Sequence, residues 1–484
     1  MSAPAPLSLS TRSDLPICVD LDGTLLRTDS LYELLFAFVR SAPWRLPLLF
    51  AWLFRGRAYL KRRLSEERSL TVGTLPYRED LVNFLSAESE RGRQIVLVTG
   101  ADETLARRVA AHLTIFSGVI GTNGNVNLTG AAKLAAIRRY LNNRPFVYAG
   151  DSHVDFHVWK GSEAAIVVNR SSSYLRALRR QGIPIERIFA DSRPILRTVL
   201  SALRVHQWSK NTLILLPIGL AHRAIEAGVW FHGAVAFLSF SLAASALYVF
   251  NDLLDLEADR AHPRKRNRPF ASGTLSIRFG IALLVGLLTG AAALSLWLPR
   301  PARLLLAAYC LSSAVYSTSL KRQVGLDVVL LALFYTVRIL IGGSATGIQI
   351  SVWTLAFSIF LFVSLALLKR ITELRVVLAQ NASAIANRGY VVQDASQISA
   401  FGAASSYLAV LVFALYINSP EVRELYKSPA FLWLICPLLI YWLSRVWILA
   451  NRGQVHDDPI VFAFSDTASL ITGAVALLLV FAAI

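Results

Sequence analysis

The stretch Val229–Arg260, VWFHGAVAFLSFSLAASALYVFNDLLDLEADR, decides how the whole chain is read. Its first part, Val229–Phe250, is uncharged and close to the roughly 20 residues that a helix needs to cross a bilayer. It runs straight into Asn251, Asp252, Asp255 and Asp259. The three aspartates are spaced i, i+3, i+7, which keeps them within about 60° of one another around a helix. Carboxylates so arranged repel one another unless a divalent cation sits among them. A solvated acidic helix end is the plain alternative, but acidic groups at membrane depth are costly without a purpose.

Working outward, further apolar blocks are expected to span at Asn211–Ala221, Ile277–Leu298, Arg303–Ser319, Leu326–Ala345, Val352–Leu368, Phe401–Ile417, Phe431–Ala450 and Phe464–Ile484, about nine helices in all. Composition agrees. The 484 residues are 55% hydrophobic and only 17% charged, against about 25% charged in ordinary soluble proteins, which excludes a wholly soluble chain. The net charge of +18 divides evenly about residue 200, and such an excess suits anionic partners. The membrane bilayer and phosphorylated substrates lead; no nucleic acid partner is expected, because the apolar content leaves little room for its groove. Cys18, Cys310 and Cys436 form no ligand spacing, so neither disulfide nor zinc is expected.

The opening MSAPAPLSLSTRSDLP lacks the basic start and apolar core of a secretory signal, so the N-terminal domain is expected in the cytosol. Nine spans then leave the C-terminus outside. The loops of the expected inner side hold twelve Lys and Arg and those of the outer side five, in keeping with a positive inner face.

Before residue 200 the pattern is different. Short β-branched runs at Ile17–Asp20, Ile95–Thr99, Phe146–Gly150 and Ala164–Val168 alternate with stretches of helical period. That alternation predicts an α/β Rossmann-like domain with a parallel sheet and a ligand site at the carboxyl ends of its strands. The expected organisation is an α/β domain over 14–190 with a small cap near 30–90, an amphipathic linker over 191–210, and an all-α transmembrane bundle over 211–484. Within the cap, Pro43–Leu64 joins a short apolar run to a basic helical pattern, the composition of a membrane-surface helix.

The first run ends in Asp20-Leu21-Asp22-Gly23-Thr24. Two carboxylates two residues apart on an extended segment emerge on the same side. One can attack phosphorus while the other exchanges a proton with the leaving group. Thr99 follows the second run, Lys133 comes in Gly130-Ala-Ala-Lys133, and Asp151 and Asp155 follow Gly150. Nucleophile, hydroxyl, ammonium and a second acidic pair suit a phosphoryl group. In this order they resemble the haloacid dehalogenase-like phosphatases of the phosphoserine phosphatase-like branch. The resemblance implies Asp20 as nucleophile, Asp22 as general acid/base, Thr99 and Lys133 as phosphate binders, and Asp20, Asp151 and Asp155 as Mg2+ ligands. His153 and His157 are read as structural. A P-type ion pump would place Lys-Thr-Gly after the nucleophile, and this chain does not.

The second half resembles the UbiA superfamily of intramembrane prenyltransferases, whose NDxxDxxxD signature is met by Asn251, Asp252, Asp255 and Asp259. Its second signature, DxxxD, fails at Asp327-Val-Val-Leu-Leu331. Arg204–Pro217, Asn251–Pro269, Tyr316–Lys321 with Asp327–Gly343, and Leu368–Leu374 instead look like the decaprenyl-phosphate phosphoribosyltransferase branch. That resemblance implies Mg2+ on Asp252, Asp255 and Asp259, phosphoribosyl diphosphate as donor and a polyprenyl phosphate lipid as acceptor. Lys210, Lys265, Arg266, Lys321, Arg338 and Lys369 are candidate phosphate binders, with Asn251, Tyr316 and Asp327 as further site residues. The product would keep a phosphate monoester, which the first domain could remove. The alternatives are prenyl transfer to an aromatic or other acceptor, and a non-catalytic lipid-binding or transport protein.

Overall fold

The computed structural model describes residues 14–123, 128–168, 172–190, 194–221, 223, 226–379, 388–455 and 459–484; residues 191–193 of the expected linker lie outside these. The chain forms two compact units. One comprises the chain up to Leu203 together with Val249–Leu283, and the other Arg204–Tyr248 with Leu284–Ile484.

The first unit is built on six parallel strands: β1 (Ile17–Val19), β2 (Ile95–Asp102), β3 (Gly118–Thr122), β4 (Val147–Gly150), β5 (Ala164–Val168) and β6 (Ile185–Phe189), ordered β3-β2-β1-β4-β5-β6. Strand periodicity of two divides their side chains between two apolar layers. Ile17, Val19, Ile95, Leu97, Val147, Ala149 and Ile166 enter one, and Cys18, Val96, Val98, Tyr148, Ala165 and Val167 the other. With both faces covered, the central strands read as unbroken apolar runs. The edge strands escaped the sequence reading for the opposite reason: β3 contains two glycines and β6 places charged Glu186 and Arg187 among its apolar residues.

Helices α1 (Ser30–Ser41), α2 (Leu46–Phe54) and α3 (Arg57–Glu67) lie between β1 and β2, followed by α4 (Glu79–Glu90). Then come α5 (Glu103–Leu113) and α6 (Gly130–Tyr140). Asp29 caps α1 by accepting from the Leu31 N–H, which fixes where the chain turns helical after the Asp20–Thr28 loop. Trp44 is 75% exposed and Phe54 91%, with Phe50 and Leu53 exposed beside them. Strand order reverses at β1, so a crevice opens beyond the carboxyl ends of β1 and β4.

In the second half of the chain, among the described residues, six helical segments are long and apolar enough to span: Ala227–Leu254, Ile277–Ser295, Leu326–Thr346, Val352–Leu378, Val392–Ile417 and Ala430–Asn451. This is a correction to the nine expected. Asn211–Ala221 is part of a 3-10 segment and a five-residue helix, Val205–Ile214 and Leu216–Leu220. The helix Arg300–Thr318 contains Arg300 and Arg303 and falls short in hydropathy, and Thr467–Ala483 is too short.

Packing in the second unit relies on small residues and buried hydroxyls. The Trp447 ring lies on Gly402, and its Nε1 donates to Ser364 Oγ and Ser406 Oγ at 3.0 and 3.1 Å. A Cβ at Gly342 would sit 2.0 Å from the Ile214 carbonyl oxygen. Backbone cannot yield as a flexible side chain does, so Gly342→Ala is expected to destabilise by about 1–3 kcal/mol. Gly286, with open space around its Cβ position, should accept alanine at no cost. Thermal unfolding in detergent compares the two; equal melting points would contradict the close approach.

Candidate active sites

At the switch point of the sheet, Asp20 leaves β1 buried, its Oδ1 accepting from the Leu21 N–H at 2.8 Å and paired with Lys133 Nζ at 2.9 Å. Lys133 comes from the first turn of α6. It also donates to Tyr148 Oη at 3.0 Å, which in turn donates to Asp155 Oδ1 at 2.8 Å. The other Asp155 oxygen accepts from the Asp151 and Ser152 N–H groups and from Ser152 Oγ. Asp155 therefore shapes the loop that carries Asp151. Gly23 stands where φ is +78°, and a Cβ there would lie 2.3 Å from Asp151 Oδ2. Only glycine lets the two loops approach this closely.

Asp22 is held by the start of α1. Its Oδ1 accepts from the Ser30 N–H at 2.8 Å and its Oδ2 from Ser30 Oγ at 3.0 Å. Thr99 is buried near the carboxyl end of β2, its hydroxyl accepting from the Ala101 N–H at 2.9 Å. A second ammonium, Lys61 of α3, donates to the Gly100 carbonyl at 2.8 Å.

These surroundings set the acidities. Burial raises Asp20 to about 6, against the pull of Lys133 and with a further push from Asp155. Burial raises Asp22 to about 7, with neighbouring Asp29 adding to it. Asp151 is raised to about 8 by burial and then by Asp20 and Asp155. An acid near 7 is suited to giving and taking a proton at neutral pH. Among the described residues, Asp20, Asp151 and Asp155 are the one carboxylate group whose oxygens all lie within 4.8 Å. Hard oxygen donors left so short of positive charge fit Mg2+.

The acidic motif of the second half is arranged differently from a single helical face. The long helix Ala227–Leu254 stops before Asp255, which sits at φ −101° and ψ 15° ahead of a short helix, Leu256–Ala261. The backbone bonds Asp255 N to Asn251 O and Asp259 N to Asp255 O continue across the break. Asp252 and Asp259 are buried on either side of Arg268, whose Nη1 is 3.2 Å from Asp252 Oδ1 and 2.6 Å from Asp259 Oδ2. Asp255 lies within the field of the same guanidinium and is also approached by Arg40 Nε at 4.0 Å. A guanidinium from the basic run thus pairs directly with two of the three carboxylates and feels the third. The donor set remains all oxygen, which suits Mg2+. Lys265 and Arg266 are exposed next to it.

In the second unit the expected residues fall into two clusters. Arg338 donates from Nε to Asn211 Oδ1 at 2.9 Å and lies over the rings of Phe240, Tyr335 and Tyr309. Lys210 lies over Tyr335. Asp327 is fully buried, paired with Arg370 at 2.9 Å and Arg388 at 3.5 Å, and accepts from Tyr390 Oη at 2.6 Å. Arg388 also donates to Tyr316 Oη at 2.6 Å. Arg370 is shared between Asp327 and Glu373, and with Arg388 it balances both carboxylates, so Asp327 closes an ion-pair network and does not open a second acidic centre. Lys321 is buried and Lys369 half-buried. The sequence reading missed Tyr148, Ser30, Lys61 and Arg388 as site residues. A polar-tipped aromatic inside an apolar strand was the available signal for Tyr148.

Comparison with known proteins adds the following. A model of the UbiA prenyltransferase family matches residues 213–470, and a model of haloacid dehalogenase-like hydrolases matches residues 17–160. Uncharacterized protein y4nM of Sinorhizobium fredii is 38% identical over 464 residues, 95% of this chain and 89% of that protein. Nodulation protein NoeC of Azorhizobium caulinodans is 34% identical over 57% of this chain and 89% of its own length. The decaprenyl-phosphate phosphoribosyltransferase of Mycobacterium tuberculosis is 32% identical over 45% of this chain and 73% of its own length.

Removing the Lys133 ammonium with Lys133→Ala should lower hydrolysis of a small phosphate monoester by about 10²–10³-fold. Tyr148→Phe leaves buried Lys133 and Asp155 short of a partner and should cost about 1–3 kcal/mol of stability. Steady-state hydrolysis and chemical unfolding measure the two; a Lys133→Ala variant with wild-type turnover would remove the ammonium from the site.

Proposed function

The chain belongs to the UbiA prenyltransferase family and carries a haloacid dehalogenase-like domain ahead of the family's helices, and from that premise we propose that it is a bifunctional membrane enzyme acting on polyprenyl phosphate. Its membrane half transfers a 5-phosphoribosyl group from phosphoribosyl diphosphate to the lipid. A lipid phosphate oxygen attacks the anomeric carbon, the carbon–oxygen bond to diphosphate breaks, and diphosphate leaves with the electron pair. Mg2+ held by Asp252, Asp255 and Asp259 would supply charge neutralisation for the leaving diphosphate. Lys265 and Arg266, exposed in the basic run that follows those carboxylates, serve the donor's phosphates. Lys210, Lys321 and Lys369 are assigned to donor or lipid phosphates, and Arg338 holds Asn211 in place.

The observation that carries the choice of donor is the state of Asp327. With Leu331 at the end of the second signature and Arg370 and Arg388 on Asp327, one acidic centre remains where the prenyl-diphosphate signature calls for two. The decaprenyl-phosphate phosphoribosyltransferases among the relatives support the same choice. Prenyl transfer from a prenyl diphosphate is the second reading, favoured by the family as a whole.

The N-terminal domain removes the monoester that the transfer leaves on the product, at the cytosolic face of the membrane. Asp20 attacks phosphorus while Lys133 and Thr99 hold the phosphoryl oxygens. The phosphorus–oxygen ester bond breaks, and Asp22 gives its proton to the sugar oxygen. Asp22, now a carboxylate held by Ser30, takes a proton from the water that hydrolyses the aspartyl phosphate. Joining consecutive steps on one chain raises the effective concentration of the lipid intermediate.

Mass spectrometry of lipids formed from polyprenyl phosphate, phosphoribosyl diphosphate and Mg2+ tests the reading. Wild type should yield polyprenyl-phosphoryl ribose. Asp20→Asn should accumulate the 5-phosphorylated lipid, with monoester hydrolysis down about 10³-fold or more and transfer within twofold. Product formed from a labelled prenyl diphosphate and from no phosphoribosyl donor would favour the second reading, and unchanged dephosphorylation in Asp20→Asn would detach the first domain from this step.

A further inference from the structure

The segment that follows the acidic motif belongs to the same compact unit as the phosphatase-like domain, and a row of side chains fastens it there. Arg260, the residue after Asp259, makes a two-pronged pair with Glu33 of α1, Nη2 to Oε1 at 2.5 Å and Nη1 to Oε2 at 3.1 Å. The side chains are only 6% and 4% exposed. The same guanidinium donates from Nε to the Ala271 carbonyl at 2.8 Å, and Glu33 Oε1 also accepts from Thr28 Oγ1 at 2.7 Å. Around this anchor, Arg278 pairs with Asp29 at 2.5 Å, Thr71 bonds to Glu257, and Gly273, at φ +70°, meets the backbone of Arg27. A Cβ at Gly273 would lie 2.8 Å from the Arg27 carbonyl oxygen.

One helix carries both ends of this arrangement. At its start, Ser30 holds Asp22 through its N–H and its hydroxyl. Glu33 and Arg40 are two turns apart on one face of α1, about 10 Å along the axis, and Arg40 reaches within 4.0 Å of Asp255. Buried two-pronged Arg–carboxylate pairs fix orientation as well as distance.

We propose that α1 of the phosphatase-like domain is a working part of the transferase site. Glu33 is a positioning residue that sets the acidic motif through Arg260, and Arg40 supplies a guanidinium for the diphosphate held at Asp255. A planar guanidinium is the group best matched to phosphate oxygens, and the carboxylate beside it keeps it oriented until the donor arrives. The inference rests on the reading of Asp252, Asp255 and Asp259 as the diphosphate site and is indifferent to which diphosphate is the donor.

The test uses the full-length protein in lipid nanodiscs. Diphosphate release is followed with phosphoribosyl diphosphate and, separately, a prenyl diphosphate, and hydrolysis of a small soluble phosphate monoester is followed in parallel. Glu33→Gln should lower kcat for diphosphate release about tenfold or more while monoester hydrolysis stays within twofold. Pairing Glu33→Arg with Arg260→Glu should recover a substantial part of that loss. Arg40→Ala should raise KM for the donor about tenfold with a smaller change in kcat, and Arg40→Lys should fall between it and wild type. A Glu33→Cys, Arg260→Cys pair should be bridged in membranes by a short bifunctional maleimide, a readout of geometry that no activity enters; the tip-to-tip contact of two long side chains leaves their backbones farther apart than a disulfide reaches. Wild-type kinetics in both Glu33→Gln and Arg40→Ala, equal loss of both reactions in Glu33→Gln, or no cross-link would overturn the proposal. Diphosphate release from the prenyl donor alone would overturn phosphoribosyl transfer and leave this inference to be decided by the variants.

Discussion

Carboxylates placed close together and out of water need positive charge, and the chain meets that need in different ways at different places. At the sheet's switch point, Lys133 supplies one charge to Asp20 while Asp22 and Asp151 stay raised toward neutrality by burial. At the motif that ends the helix Ala227–Leu254, Arg268 stands between Asp252 and Asp259. At Asp327 two guanidiniums balance that carboxylate together with Glu373. The first arrangement gathers acidic oxygens closely enough to serve a metal and a phosphate, the second offers an all-oxygen donor set around Arg268, and the third is taken up by its own ion pairs.

Topology explains why the phosphatase-like site is so complete. The strand order β3-β2-β1-β4-β5-β6 brings the residues after β1 and β4 to one crevice, although Asp20 and Asp151 are far apart in the chain. Gly23 permits the two loops to touch, and Tyr148 couples the ammonium of α6 to the loop carrying Asp151. A polar relay inside an otherwise apolar strand is costly unless every member is satisfied, and here Lys133, Tyr148 and Asp155 satisfy one another.

Much of this was legible in the sequence. Asp20, Asp22, Thr99, Lys133, Asp151 and Asp155 follow strand ends in a fixed order, and a parallel sheet brings strand ends together whatever their separation. The apolar blocks announced a membrane half. Less was legible where tertiary partners decide the outcome. The spacing of Asp252, Asp255 and Asp259 predicts one helical face, but the helix breaks at Asp255 and Arg268 folds back onto two of the three. Nothing local marks Arg268 among its basic neighbours. The failed DxxxD signature was visible at Leu331, whereas the partners of Asp327, Arg370 and Arg388, lie 43 and 61 positions away. Glu33 with Arg260 is the extreme case, a buried pair 227 residues apart, and pattern reading has no access to it.

The central claim is that one chain holds two separate centres where buried carboxylates bind a divalent cation to handle phosphate. Electron paramagnetic resonance titration of Mn2+ into the purified full-length protein measures this most directly. Two bound ions per chain are predicted, one lost on Asp151→Asn and the other on Asp252→Asn, each variant keeping the remaining ion. A single bound ion, or two ions that both survive these substitutions, would contradict the account.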